Sequence, residues 1–141
     1  MDTMNTLSRD DEAARERLAS VSQDMINRTC EWSDINTGSW NTEGLKQFAP
    51  VLADAFSELQ ADVELIQTNG FEAVTDSGKT EIQQTGPVIL VTGRPRAAVQ
   101  IILSGHYDTV FPKGTFEGVT DIGDGRLNGP GLADMKGGLC V

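Results

Sequence analysis

Apolar residues recur at helical spacing through the first third of the chain, then give way to short β-branched runs. Ala14, Leu18, Val21 and Met25 follow one another at intervals of three and four, the spacing that lines up one face of an α-helix. Ser8 with Asp11 and Glu12 resembles a helix start. This pattern predicts a first helix with one buried stripe. Thr42 opens a second candidate helix, with Leu45, Phe48, Leu52, Phe56 and Leu59 on its apolar face. Pro50 falls inside that pattern and is expected to kink the helix or divide it. Between the two lies a loop, Asn36-Thr37-Gly38-Ser39, flanked by Trp32 and Trp40. Both tryptophans are expected to be packed structural aromatics.

From residue 63 the pattern shortens. Val63-Glu64-Leu65-Ile66 suits either a helix end or a strand. Asn69-Gly70 and Ser77-Gly78 mark turns. Pro87–Val91 and Val99–Leu103 are short, apolar and β-branched, so they read as buried strands. Gly93-Arg94-Pro95-Arg96 suits a hairpin between them, with both arginines solvated. The fold class is therefore α/β: two N-terminal helices followed by strands of a mixed sheet.

Length and charge narrow the function classes. A chain of 141 residues fits one domain. Its formal charge of -10, from 21 acids against 11 bases, argues against non-specific binding to nucleic acid or anionic membrane. No apolar run approaches the ~20 residues a membrane helix needs. The start lacks the basic and apolar regions of a secretory signal, so a cytoplasmic location is expected. The acids Asp54, Glu58 and Asp62 read as a solvated helix face rather than a cluster. Cys30 and Cys140 belong to no Cys-x-x-Cys pair and are expected to be reduced, mostly buried thiols.

Glycine becomes dense near the end, with nine of 15 between Gly105 and Gly138. Backbone there must turn tightly or approach something closely. His106, the single histidine of the chain, follows the second apolar run. Positions i and i+2 of an extended chain point the same way, so His106 and Asp108 can face one site. Asp134 stands among glycines and small residues in Asn128-Gly129-Pro130-Gly131-Leu132-Ala133-Asp134-Met135-Lys136-Gly137-Gly138. An acid in that setting needs a metal, a base or backbone N–H groups; capping of a final helix is the plainer alternative. The glycine pattern fits neither phosphate-binding fingerprint. Imidazole and carboxylate suit zinc. Asp108 would then fix the tautomer of His106, and the two oxygens of Asp134 could bridge a metal pair.

Two stretches, Ser104-Gly105-His106-Tyr107-Asp108-Thr109-Val110 and Gly129–Gly138, resemble the dizinc exopeptidase and deacylase family. That family includes glutamate carboxypeptidase, acetylornithine deacetylase, succinyl-diaminopimelate desuccinylase and aminoacylase. The loop at Asn36–Ser39 and the helix from Thr42 resemble its N-terminal region more weakly, and the glutamate carboxypeptidase group is the most similar. The resemblance implies that His106 ligates one zinc and Asp134 bridges both. It also implies that Asp108 is the acid orienting His106, and that the Asp134–Met135 peptide is cis. It implies hydrolysis of a peptide or N-acyl amide bond near a free carboxylate. The metals would be two zinc ions, with cobalt or manganese as the other working metals. The substrate would be a small peptide or N-acyl amino acid, and the complete enzyme a homodimer.

The departures are as informative. A full member continues with a Glu-Glu pair supplying the general base and a zinc ligand, then a further acid, a second His and an inserted lid and dimerisation domain. None of these is present, and Glu117 has no neighbouring Glu. Residues 1–141 are therefore expected to be the N-terminal part of a metallopeptidase catalytic domain, truncated and inactive alone. Strand edges and apolar surface are expected to be exposed. The competing expectation is a non-catalytic α/β interaction module, or a degenerate family member, whose glycines only build turns.

Overall fold

The computed structural model describes residues 8–141. Helix α1 spans Arg9–Asp34 and starts at a capping box. The Ser8 hydroxyl accepts from the Asp11 N–H, and the Asp11 carboxylate accepts from the Ser8 N–H at 3.1 Å. These hydrogen bonds satisfy two helix-end groups at once; the Ser8 hydroxyl, which donates to the Asp11 carboxylate at 2.7 Å, and then the Ser8 N–H hold that carboxyl below the usual range. Helix α2 spans Thr42–Ser57 and is capped by the Asn41 side chain, which accepts from the Gly44 N–H.

The α2 pattern translates into a core. Leu45, Phe48, Ala49 and Leu52 are buried, and Phe48 and Leu52 pack against Trp32 of α1. The Trp32 and Phe48 rings meet edge to face with centroids 5.7 Å apart. Each such fully buried side chain contributes about 1.5–3 kcal/mol. Pro50 does not divide the helix: α2 runs through it, with the proline on the exposed side. Burial of Leu45, Phe48 and Leu52 on the other side offsets the lost hydrogen bond. Leu59 lies beyond the helix end and is exposed.

The α1 stripe behaves differently. The helix forms, yet Leu18 is 51% and Val21 41% exposed, and Ala14 and Met25 are only partly covered. Just Thr29, Trp32 and Ser33 of this helix are buried. The expected buried stripe is thus an exposed one, because the body of the protein packs on the C-terminal end of α1 alone.

Among the described residues the strands form three separate two-stranded antiparallel sheets, not one mixed sheet. β1 (Asp62–Ile66) pairs with β4 (Val88–Thr92), β2 (Phe71–Val74) with β3 (Thr80–Gln83), and β5 (Thr120–Gly123) with β6 (Arg126–Asn128). The α/β class holds in this coarser form. The turn at Ser77-Gly78 closes the β2–β3 hairpin, with Gly78 at φ 79° and its N–H on the Thr75 carbonyl. The hairpin expected between Val88 and Leu103 is absent. β4 takes β1 as its partner, and Val99–Leu103 lies outside every strand, with Ile102 and Leu103 each 92% exposed. A run that is apolar on both faces needs a strand beside it and a layer on each side, and nothing among the described residues supplies them. No helix among the described residues is long and apolar enough to cross a membrane.

Helix α3 (Gly137–Cys140) follows a wide helical turn at Leu132–Lys136, in which Asp134 has extended backbone. Cys30 and Cys140 are free thiols, each partly buried.

Candidate metal centre

The loop after α1 fastens the first motif. The Thr109 N–H donates to the Thr37 carbonyl and the Ser39 N–H to the Thr109 carbonyl, both at 2.9 Å. These bonds lay residues 107–110 alongside the Gly38 backbone as a parallel bridge. Alternation then sorts the side chains. Tyr107 turns inward, packs against Phe48 and donates to the Pro87 carbonyl at 2.6 Å. Burial, with Asp108 nearby, pushes its phenol up to about 12. His106 and Asp108 turn the other way.

The end of α1 fastens the second motif. The Ser33 hydroxyl donates to the Pro130 carbonyl at 2.6 Å. Gly131 sits at φ 75°, where a side chain would be strained and would press on the Thr109 methyl and the Lys136 stem. Lys136 is wholly buried. Its ammonium donates to the Trp32 and Ile35 carbonyls, both at 2.8 Å, and lies 4.7 Å from the centre of the Phe48 ring. Those carbonyls lie at the C-terminal end of α1, where the Trp32 carbonyl also accepts from the Ile35 N–H at 3.3 Å. Burial pushes the lysine down to about 8, with Asp34 acting against that shift. Asp134 does not cap α3, which has no side-chain cap. The Asp134–Met135 peptide is cis.

His106, Asp108 and Asp134 come together. Nδ1 of His106 lies 3.2 Å from Asp108 Oδ1 and 3.1 Å from the Asp108 carbonyl; Nε2 lies 2.9 Å from Asp134 Oδ1. All three partners are acceptors. A neutral ring has one N–H, so in either tautomer one nitrogen's lone pair faces an acceptor oxygen. A second proton on the ring is one solution. Partial burial disfavours it, but the Asp108 carbonyl and the Asp134 carboxylate outweigh burial and hold the imidazole above its ordinary 6.5. A metal ion is the other solution.

The donor set fits an edge of a zinc site. Tetrahedral zinc bonded to both atoms would hold them about 3.3 Å apart, a few tenths wider than observed. The Asp134 side chain is largely exposed, which leaves its second oxygen open to another ion. The set does not close a site by itself: among the described residues no group of three or more His, Cys, Asp or Glu could hold a metal.

A cleft of 350 Å³ adjoins these residues, walled by Phe111, Phe116 and Leu132. A second, of 460 Å³, lies across Phe111 and is lined by Ser39, Trp40 and Lys113. Trp40 is 67% exposed there, not a packed structural aromatic as Trp32 is.

Two residues near the site escape sequence reading. Ser39 donates to Asp108 Oδ2 at 2.6 Å, and Lys136 anchors the Asp134 turn. Ser39 belongs to a recognisable loop and Lys136 to a recognisable motif, but their partners lie far off in sequence. No protein-family model matches the chain, and no curated protein matches it significantly.

Proposed function

We propose that this chain carries the first part of a dizinc amidohydrolase site. The complete enzyme would hydrolyse a peptide or N-acyl amide bond. One observation carries the reading: every partner of the His106 ring is an acceptor, and Nε2 points at Asp134 Oδ1 across 2.9 Å. A metal ion between the two atoms would relieve that opposition of lone pairs, as a second ring proton does in the metal-free chain.

In this reading His106 and Asp134 hold zinc, with cobalt or manganese as substitutes. When bound, the metal pair supplies Lewis acidity toward the scissile carbonyl and acidifies a water. The protein's own groups do the rest of the positioning. Asp108 keeps the proton on Nδ1 and so presents the Nε2 lone pair. Ser39 fixes the other oxygen of Asp108. Phe111 and Phe116, packed edge to face at 5.0 Å, give the neighbouring cleft an apolar wall for an acyl or side-chain group. Lys113, across Phe111, offers a cation to a substrate carboxylate. Because the described residues bring only His106 and Asp134 to the metal, the chain alone is proposed to be inactive and to bind metal weakly.

Cobalt titration followed by absorption and by His106 nuclear magnetic resonance tests the reading. Binding is expected in the 141-residue chain and is expected to vanish in His106→Ala and Asp134→Ala. Equal binding by all three proteins, or no binding at millimolar cobalt with the fold intact, would falsify it and favour a non-catalytic module.

A further inference from the structure

Two consecutive residues hold His106 at two points. Asp134 faces the tip of its ring, with Nε2 2.9 Å from Oδ1. Met135 faces its backbone, and the His106 N–H donates to the Met135 sulfur at 3.3 Å. Among the described residues no other acceptor meets that N–H. The chain that leads to it gives no sheet support, since Val99–Leu103 lies outside every strand. The surroundings of the sulfur are shaped for the contact. A side chain at Gly105 would stand 3.0 Å from the Met135 methyl, 3.2 Å from its sulfur and 3.0 Å from a Leu139 methyl. Glycine there lets the thioether lie against the backbone and reach the next amide. Methionine suits the place because its flexible stem packs as an apolar chain while its sulfur still accepts weakly. An oxygen acceptor among the same apolar neighbours would cost more to bury.

We propose that Met135 is a positioning residue of the metal centre: its sulfur ties the His106 backbone to the turn that carries Asp134. The imidazole and the carboxylate then keep their separation when the preceding chain moves. Lys136, next in sequence, fastens the same turn to the end of α1. His106 thus follows α1 through Met135 rather than following the exposed run before it. The consequence for metal rests on the reading of His106 and Asp134 as metal donors; the tie itself does not.

The test compares two variants. Met135→Leu keeps an apolar side chain of similar volume and removes the acceptor. Leu139→Ala thins the packing over Gly105 and leaves the sulfur in place. Nuclear magnetic resonance reads exchange of the His106 amide in the metal-free chain, cobalt titration reads affinity, and urea reads stability. In Met135→Leu the amide is expected to exchange at least about threefold faster. Cobalt is expected to bind about tenfold more weakly, with the urea midpoint near native. Leu139→Ala is expected to show the reverse: a lowered midpoint, with native amide exchange and native cobalt affinity. A native His106 amide in Met135→Leu would overturn the proposal, and so would native cobalt affinity beside a freed amide. Equal loss of affinity in both variants would also overturn it, because packing would then be the cause. A wild-type chain that takes up no cobalt would sink the metal reading instead, and the amide comparison alone would decide the tie.

Discussion

Ser39 and Asp108, 69 residues apart in the chain, are joined by a hydrogen bond of 2.6 Å from hydroxyl to carboxylate. The same carboxylate reaches His106 with its other oxygen. A loop that follows α1 therefore decides how the imidazole is aimed. Replacing Ser39 by alanine frees Asp108 to turn without touching His106 or Asp134. Loss of such a partner costs about 10- to 100-fold in metal affinity, while one net hydrogen bond costs about 1 kcal/mol of stability. Cobalt titration of Ser39→Ala should show the first and urea unfolding the second. Unchanged cobalt affinity would remove Ser39 from the site.

Lys136 ties the Asp134 turn to the end of α1. In Lys136→Met the part-buried Ile35 carbonyl loses its side-chain donor, at about 1–3 kcal/mol, while the Trp32 carbonyl keeps the Ile35 N–H. Relief from burying the ammonium offsets part of this. A net loss of less than about 3 kcal/mol is expected, seen as a lower urea midpoint at unchanged slope. The His106 ring resonances should shift as well, because the turn carrying Asp134 is loosened. A variant with native stability and native His106 resonances would show that the lysine anchors nothing.

The imidazole gives a pH signature with opposite signs for folding and for metal. Its pKa is raised in the folded chain, so the folded state holds this proton more tightly than the unfolded state. The stabilisation is fully present below the ordinary value of 6.5 and is lost as pH rises through the raised value. The metal-free chain should therefore melt at a lower temperature across that window, and His106→Gln should lack the step. Cobalt affinity should rise over the same window, since the metal competes with the proton on Nε2. A melting temperature that climbs there in the wild type alone would contradict the geometry.

Phe48 touches Trp32, Tyr107 and the Lys136 ammonium, so core and site share one ring. Phe48→Ala should cost about 3–5 kcal/mol, a large share of the roughly 5–15 kcal/mol that holds an ordinary domain folded. Phe48→Leu keeps most of the volume and should stay folded. It should still lose part of the cation–π contact, detectable as a lowered urea midpoint. Native stability in Phe48→Ala would mean that the core lies elsewhere.

Much of this architecture is written locally. The capping box at Ser8, the α2 face and the convergence of His106 with Asp108 all follow from residues within a few positions of one another. Asp134 does lie beside His106, but its side chain is largely exposed, so the cost of burying an acid among glycines is not what places it there. What escapes is what depends on distant chain. Periodicity marks the apolar face of α1 but not what lies over it, so the stripe at Leu18 and Val21 reads as buried when it is open. Val99–Leu103 has the composition of an inner strand, yet β4 is bound to β1. Ser39 and Lys136 look like ordinary polar residues until the fold brings Asp108 and the end of α1 to them.

The last turn of α1 and the loop after it hold both motifs. Ser33 reaches Pro130 across 97 residues, and Lys136 reaches Trp32 across 104. Contacts this far apart close large loops and form slowly. Assembly of the His106–Asp134 pair must therefore wait until Lys136 has been synthesised, although α1 can form as soon as it emerges. The pair should also open in step with any fraying at Trp32–Asn36, so the lifetime of that single helix end sets the lifetime of the site.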